Sequence, residues 1–208
     1  ITGIQERRFW SPGTLPSEKS IESGNRAIEV AELGREEIGL LIHASVCRDH
    51  LEPATACRVH NSLELDANCV LYDVSNACLG MLNGMLQAAN MIQLGQIRAA
   101  LVVGTESSRA LVETTIDTLN KQTDLTRNQI KPALASLTIG SGSCAVLLTH
   151  RDISRTGNLL SSAVAVANTT HHDLCHSGKD EAADASMQPL MTTDSEALLR
   201  EGINTGTV

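Results

Sequence analysis

Asp73-Val-Ser-Asn-Ala-Cys78-Leu-Gly80 joins two strongly patterned segments of the chain. Residues 69–74 are apolar almost throughout, which predicts a buried strand. Residues 79–94 carry apolar side chains at helical spacing, and Gly95 marks the expected end of that helix. A strand that is apolar on both faces and leads into a helix is typical of a parallel sheet covered by helices on both sides. The stretch therefore predicts an α/β fold.

The same alternation of apolar strands and amphipathic helices extends along the chain in both directions. Two polar stretches interrupt it: residues 121–131, which we interpret as a surface connector, and the His-rich residues 170–187, which we expect to form a long loop. This order of elements is that of a layered α/β protein. The further predicted strands are residues 39–46, 99–104, 143–149 and 159–167, and the further predicted helices are residues 17–33, 53–63, 109–120 and 194–202.

Composition and charge argue against several classes of function. The 208 residues carry a net charge of -8, and Lys and Arg form no basic stripe, so a role in nucleic-acid binding is disfavoured. One Phe, one Trp and one Tyr leave almost no aromatic surface on which bases would stack. The longest apolar runs are too short to cross a bilayer, so no membrane span is expected.

Six cysteines raise the question whether disulfides hold the chain. Several of them lie within predicted strands and helices, where cysteine behaves as a small apolar residue. An acidic chain without a secretion leader at its start belongs in a reducing compartment, where free thiols are the rule. We therefore expect free cysteines and a cytoplasmic location. The six are Cys47, Cys57, Cys69, Cys78, Cys144 and Cys175.

Cys78 stands where the predicted strand gives way to the predicted helix. The amide groups and the dipole of a helix N-terminus favour a thiolate over a thiol, and they bind the oxyanion that forms when a thioester carbonyl is attacked. Gly80 and Gly84 leave room for a ligand or for backbone to approach closely. From position alone, a structural cysteine is the more common outcome at such a junction, so both interpretations stand until the wider motif is considered.

The wider motif, Asp-Val-Ser-Asn-Ala-Cys-Leu-Gly-Met-Leu-Asn-Gly at residues 73–84, resembles the nucleophile motif of the ketoacyl synthase III group in the thiolase superfamily. The resemblance implies a thiolase-like α/β fold, with layers of helix, sheet and helix and two duplicated βαβαβ halves. It also implies that Cys78 is the nucleophile. Four further segments resemble parts of that group in the same order: residues 2–8, 37–42, 99–104 and 138–146.

The resemblance also predicts how the chain is divided. Residues 1–155 would be most of the N-terminal thiolase half without its first strand, and residues 156–208 would begin the C-terminal half, so the fold is expected to be incomplete at both ends. The His and Asn that assist the nucleophile in the family belong to the remainder of the second half, and the chain alone is expected to be inactive. Family members are homodimers joined through the strand before the nucleophile, here residues 70–74.

The segment around Glu52 indicates which members of the group are most similar. Leu-Glu-Pro-Ala-Thr-Ala at residues 51–56 resembles the OleA-type enzymes of bacterial long-chain olefin biosynthesis, which condense acyl-CoAs, whereas decarboxylating members carry an apolar residue in place of the glutamate. A carboxylate suits that reaction because removing a proton next to a thioester requires a base. The resemblance therefore implies that Glu52 is a base that acts across the dimer. Without the resemblance, a solvated carboxylate near a helix start is the more common interpretation of such a glutamate.

Together these features imply an acyltransferase that joins two fatty acyl-CoA thioesters by a non-decarboxylative Claisen condensation and releases a β-keto acid. Its partners would be an acyl-CoA or acyl carrier protein substrate and a second copy of the chain, with coenzyme A entering as part of a substrate. Two alternatives remain open. One is a 3-oxoacyl-[acyl-carrier-protein] synthase III that uses malonyl carrier protein in fatty acid biosynthesis, and the other is a non-catalytic thiolase-like partner subunit.

Two other stretches of the sequence contain residue types that occur in metal or nucleotide sites. Residues 171–176 offer His and Cys ligands close together, but no second pair of ligands is evident, so a polar loop is the better interpretation. Residues 140–143 read Gly-Ser-Gly-Ser and lack both the third glycine of a dinucleotide loop and the lysine of a P-loop. We therefore expect neither a metal nor a cofactor.

Overall fold

The computed structural model describes residues 3–178 and 190–207. Thr2 of the early motif and residues 179–187 of the predicted His-rich loop lie outside the described residues. The chain forms two compact units, a larger one from Trp10–Ser107 and Gly142–Ala163, and a smaller one from the described residues within 1–9, 108–141 and 164–208. The predicted division between residues 155 and 156 stays a prediction.

A four-stranded sheet forms the centre of the larger unit, in the order β2-β1-β3-β4. The middle strand β1 pairs in parallel with β2 and with β3, while β4 runs antiparallel to β3. Four of the five predicted strands are thus confirmed, each within two residues of its predicted ends. Their bounds are Ile38–Ala44 for β1, Val70–Val74 for β2, Ala99–Glu106 for β3 and Gly142–Thr149 for β4.

Helices cover both faces of this sheet, as the apolar strands predict. Helix α1 (Pro16–Ala31) and helix α2 (Thr55–Ser62) bury their apolar residues against one face, and helix α3 (Gly80–Gln93) packs on the other. The first core includes Ile28, Leu41, Val59, Leu63, Leu101 and Val103, and the second includes Leu40, Ile42, Ala88, Ile92 and Val102.

Helix α2 begins at Thr55, two residues later than the sequence predicts. Pro53 suits the first turn of a helix, but Ala54 is extended, with φ -53° and ψ 140°. The carboxylate of Asp73 accepts the first two amide hydrogens of the helix, those of Thr55 and Ala56, and this contact fixes where the helix starts. The predicted start was wrong because the deciding partner is distant in sequence.

The smaller unit contains three α-helices and a pair of short strands among its described residues. Helix α4 has the predicted bounds of residues 109–120, and helix α6 begins directly after Asp194, whose side chain accepts the Ala197 amide hydrogen at 3.0 Å. The polar connector at residues 121–131 includes one short helix. The bounds are Arg109–Asn120 for α4, Arg127–Ile130 for α5, Cys175–Ser177 for β5, Met191–Thr193 for β6 and Ser195–Gly206 for α6.

The predicted strand at residues 159–167 is wrong, because these residues form no regular secondary structure. Leu159 is 73% exposed and Val164 is 93% exposed, so the apolar side chains that predicted a buried strand are in solvent. A strand needs a neighbour to bond its amide and carbonyl groups, and within the described ranges no strand pairs with this segment. Apolar alternation predicts a tendency to be buried without identifying the partner.

None of the helices within residues 3–178 and 190–207 is long and apolar enough to cross a membrane.

Candidate functional site

Cys78 lies in the connection between β2 and α3, as predicted, and its side chain is exposed. It belongs to a 3-10 turn, Ala77–Leu79, in which the Leu79 amide donates to the Asn76 carbonyl at 3.0 Å. The α-helix proper begins at Gly80, so Cys78 precedes the helix rather than opening it. The thiol is therefore presented on a tight turn just before the N-terminus of α3.

The backbone bends sharply immediately before the thiol. Ala77 has φ 43°, in the left-handed region that residues other than glycine rarely occupy. Such a conformation costs roughly 1–3 kcal/mol and persists only where the surrounding structure enforces it, which is most often at functional sites. The bend separates Cys78 from the strand that precedes it. Nothing in the sequence at Ala77 predicts it.

Glycines bring the start of α3 close to the sheet. A Cβ atom on Gly84 would come within 2.8 Å of Val102 Cγ1, and one on Gly104 would come within 2.7 Å of Met81 Sδ. A side chain at Gly84 would push the helix away from β3, and one at Gly104 would displace Met81 of the same helix. The close approach holds the Cys78 turn at the C-terminal ends of the parallel strands, the edge where open α/β sheets bind their ligands.

Glu52 lies at the tip of the loop that follows β1, and it is exposed together with its neighbour Leu51, which is 68% exposed. The loop runs from Ser45 to Ala54, so Glu52 precedes α2 and is not part of its first turn. The chain itself therefore does not bury the glutamate. A buried environment for it would have to come from outside the described residues.

The base of this loop is attached to the end of β3. Glu106 accepts the amide hydrogens of Val46 and Cys47 at 2.8 and 3.2 Å, one with each carboxylate oxygen. One residue earlier in the loop, the Ser45 hydroxyl accepts the amide hydrogen of Thr105 at 2.7 Å. The two bonds to the Glu106 carboxylate are charge-assisted and about twice as strong as neutral ones, so the loop leaves the sheet along a fixed path.

Asp49 is the second anchor of the loop, and its side chain is only 4% exposed. Its carboxylate accepts the Ser17 amide hydrogen at the start of α1, at 3.0 Å, and lies 3.4 Å from Arg58 of α2. Its own amide donates to the Thr55 hydroxyl at 3.1 Å. Asp49 thus connects the loop to both helices on this face of the sheet.

Asp73 is the third anchor. One carboxylate oxygen accepts the Thr55 amide hydrogen at 2.8 Å, and the other accepts that of Ala56 at 2.9 Å. A carboxylate in this position satisfies two of the unpaired amide groups of a helix start and complements the helix dipole. It joins β2, the strand that leads to Cys78, to the helix that follows Glu52.

His43, on β1 beside Asp73, is completely buried and has no hydrogen-bond partner on either ring nitrogen in the described part of the chain. Its Nδ1 lies 3.9 Å from Asp73 Oδ1. Burial lowers the pKa of His43 below its ordinary value, against the opposing effect of Asp73, so the ring is neutral at physiological pH. His43 lies within the strand predicted for residues 39–46, and a role as the partner of Cys78 is not indicated.

Cys47 and Cys69 are less exposed than Cys78. Burial raises the pKa of Cys47 to about 11 and that of Cys69 to about 11, which leaves very little thiolate at neutral pH. All six thiols are free, as expected. Within the described ranges no three His, Cys, Asp or Glu side chains are grouped to hold a metal ion. In the His-rich segment, His171 lies 3.6 Å from Glu201 instead.

Comparison with known proteins agrees with this arrangement. Residues 72–167 match the family 3-oxoacyl-[acyl-carrier-protein (ACP)] synthase III. An acyl-CoA:acyl-CoA alkyltransferase of Shewanella oneidensis is 41% identical over 206 residues, which are 98% of this chain and 58% of that protein. One from Xanthomonas campestris pv. campestris is 34% identical over 203 residues, covering 98% of this chain and 57% of that protein.

Solved structures give the same result. Xanthomonas campestris OleA with bound lauric acid and lauroyl-CoA superimposes with a TM-score of 0.88 at 33% identity, covering 100% of this chain and 58% of that one. A cerulenin-bound structure of that protein gives 0.84 and covers 99% of this chain and 57% of that one. The chain thus spans less than three fifths of the length of these relatives, and its predicted α/β thiolase fold is confirmed as a partial one. Over residues 72–167 it is similar to the 3-oxoacyl-[acyl-carrier-protein] synthase III family, and over nearly its whole length it is similar to part of the OleA-type acyl-CoA:acyl-CoA alkyltransferases.

Proposed function

We propose that the protein is an acyltransferase that condenses two fatty acyl-CoA thioesters without decarboxylation, through an acyl intermediate on Cys78, and that Glu52 is the base for the condensation. The observation that carries this proposal is the pair itself: an exposed cysteine on a strained turn beside the sheet's ligand-binding edge, and a glutamate presented on an anchored loop that follows the neighbouring strand.

The spacing of the two residues supports their assignment. Solved variants of Xanthomonas campestris OleA replace a cysteine, a glutamate and a histidine. The cysteine follows the glutamate in that protein by the same number of positions that separates Glu52 from Cys78. If the spacing continues, the counterpart of the histidine would come after Val208.

In the first step, the Cys78 thiolate attacks the carbonyl carbon of one acyl-CoA. A carbon–sulfur bond forms to Cys78, the bond to coenzyme A breaks, and the coenzyme leaves as its thiolate and is protonated. The amide groups next to the N-terminus of α3 lie where they would stabilise the oxyanion that forms on the carbonyl oxygen. The exposure of Cys78 leaves its sulfur open to such a substrate.

In the second step, the Glu52 carboxylate removes a proton from the α-carbon of a second acyl-CoA. The resulting carbanion attacks the acyl-Cys78 thioester, a carbon–carbon bond forms, and Cys78 leaves as a thiolate. Water then hydrolyses the β-ketoacyl thioester to a β-keto acid and coenzyme A. No carbon dioxide is lost, because no malonyl group takes part.

A homodimer joined through β2 would bring the two residues together from different chains. Among the residues that the structure describes, β2 is an edge strand that pairs only with β1, and Val70 at its start is 49% exposed. Such an edge is available for pairing with a second copy. Glu52, exposed on a loop tip, would then reach the site of the partner subunit.

The cytoplasmic location and the inactivity of residues 1–208 by themselves belong to the same proposal. In the part of the chain that the structure describes, no hydrogen bond or ion pair joins Cys78 to a histidine. A nucleophilic cysteine is ordinarily activated by an adjacent base. We therefore expect turnover to require residues outside this sequence.

The competing enzyme is a decarboxylating 3-oxoacyl-[acyl-carrier-protein] synthase III, which the family match at residues 72–167 favours. Incubating the complete protein with acyl-CoA alone separates the two functions. A β-keto product without a malonyl donor supports our proposal, and strict dependence on malonyl carrier protein contradicts it. Failure to form any acyl adduct on Cys78 would favour a non-catalytic partner subunit instead.

A further inference from the structure

Two residues, Pro53 and Ala54, separate Glu52 from Thr55, whose amide is the first in α2 that Asp73 holds. Asp73 belongs to the strand that leads to Cys78. We propose that Asp73 is a positioning residue that sets the location of Glu52 by fixing the first turn of α2. The inference rests on the proposed function, since it assigns a role to Asp73 through Glu52.

The contact leaves the helix start little freedom. Both oxygens of Asp73 are used, one for each amide, at 2.8 and 2.9 Å. Thr55 is 2% exposed and Ala56 is fully buried, so little water reaches these two amides to replace the carboxylate. Losing one acceptor here would leave a buried amide hydrogen without a partner, which costs about 1–3 kcal/mol.

The loop that carries Glu52 is closed at the point that Asp73 holds. The Asp49 amide donates to the Thr55 hydroxyl at 3.1 Å, so the segment of the chain from Asp49 to Thr55 begins and ends at neighbouring positions. Glu52 lies on the five residues between these ends. A loop this short transmits a shift of its ends directly to its tip, so the position of Thr55 determines where Glu52 points.

Asp73 differs from the other two anchors in what it connects. Glu106 ties the loop base to β3, and Asp49 ties it to α1 and α2. Asp73 alone joins it to β2, and β2 continues into the Cys78 turn. The carboxylate thus places the base of one reaction step relative to the strand that carries the nucleophile of the other.

The test is Asp73→Asn in the complete protein, with the two reaction steps measured separately. Acylation is followed as the adduct on Cys78, and condensation as β-keto product. The amide side chain accepts only one of the two hydrogens, so we expect condensation to fall about tenfold or more while acylation stays within about twofold of the wild type, because misplacing a reacting group by about 1 Å costs up to 100-fold. An equal fall in both steps, or in neither, overturns the proposal.

A double variant asks whether the effect passes through Glu52. In the Glu52→Ala background, Asp73→Asn is expected to cause no further loss of condensation, because residues that act as one unit are not additive. If Asp73→Asn lowers condensation in that background by the same factor as in the wild type, the proposal is contradicted. Asp194→Asn is the matched control: it makes the same change at the start of α6, where one oxygen suffices for the Ala197 amide, and both steps should keep their rates.

A second route leaves the Asp73 carboxylate intact and covers the case in which Asp73→Asn does not fold. Thr55→Pro removes one of the two amide hydrogens, at the first helical position where proline is tolerated, and Ala54 already has the extended backbone that a following proline requires. Thr55→Val keeps the amide and removes only the hydroxyl. Condensation should fall further in Thr55→Pro than in Thr55→Val, at unchanged acylation, and equal rates overturn the inference.

The outcome also separates this inference from the function it rests on. A wild-type protein that forms no product from acyl-CoA alone contradicts the proposed function and the role of Asp73 with it. A wild-type protein that is active, with Asp73→Asn unchanged in condensation, contradicts the positioning role alone.

Discussion

The Cys78 turn and the Glu52 loop both follow parallel strands at the same edge of the sheet, yet they are held in opposite ways. The Cys78 turn is shaped by its backbone: Ala77 is in a left-handed conformation, and Gly84 allows α3 to approach the sheet. The Glu52 loop is held instead by carboxylates that bind its amide hydrogens. A nucleophile that must be presented at one point is fixed by sterics, whereas a loop that reaches outward is fixed by polar anchors at its base.

The largest effect should come from the nucleophile itself. Cys78→Ala removes the only atom that forms the acyl intermediate, so condensation by the complete protein should fall by at least about 1000-fold. Product analysis after incubation with acyl-CoA measures this. Cys144→Ala, which changes another exposed thiol in the larger unit, should keep full activity. A comparable loss of activity in this variant would contradict the assignment of Cys78 as the nucleophile.

The steric support of the Cys78 turn is tested next. Gly84→Ala places a methyl group within 2.8 Å of Val102 Cγ1, so the free energy of unfolding should fall by about 1–3 kcal/mol, with slower acylation, because overpacking displaces the helix. Denaturant titration gives the stability. Gly202→Ala, within α6 and with nothing within 4 Å, is the control and should stabilise by about 0.5–1 kcal/mol.

The pH dependence of stability tests His43, which is buried beside the Asp73 anchor. Its pKa is lowered in the folded state by burial, so below its ordinary value the unfolded chain takes up a proton that the folded chain does not. The wild type therefore loses stability as the pH falls from about 7 to about 5, and His43→Leu should lose less over that range.

The control for His43→Leu is the wild type at about pH 7.5, where the ring is neutral in both states. There the two proteins should agree in unfolding free energy within about 1 kcal/mol, since the buried ring nitrogens have no partner to lose. Parallel pH profiles of the two proteins would mean that the pKa of His43 stays near its ordinary value. The cause would be the three carboxylates of Asp73, Asp49 and Glu106, each of which raises this pKa more strongly than Arg48 lowers it.

The smallest effect is expected at the exposed end of the anchor network. Arg58 contacts Asp49 at 3.4 Å but is 47% exposed, so Arg58→Ala should lower the unfolding free energy by less than about 1 kcal/mol. Thermal unfolding measures it. A loss larger than that of Asp49→Asn would mean that the ion pair, rather than the amide contact to Ser17, holds the loop.

Much of the fold is predictable from local pattern. Continuous apolar runs identify β1 to β4, and helical spacing gives the exact bounds of α4. The pattern fails where a distant partner decides: Asp73 sets the start of α2, and the apolar residues 159–167 have no strand beside them.

The candidate site divides in the same way. The motif around Cys78 and the resemblance at Glu52 identify the two residues, because both are carried by contiguous sequence. The anchors Asp49, Asp73 and Glu106 are not identified, since an isolated acidic residue in a loop or at the end of a strand is equally typical of a solvated surface. Their partners lie up to 60 positions away along the chain.

The central claim is that Cys78 and Glu52 serve different steps, and one measurement tests it most directly. Complete protein carrying Glu52→Ala is mixed with acyl-CoA and analysed by mass spectrometry, alongside the wild type. The account predicts that the variant accumulates an acyl adduct on Cys78 and forms almost no β-keto product. An adduct on another residue, no adduct at all, or condensation at the wild-type rate would contradict it.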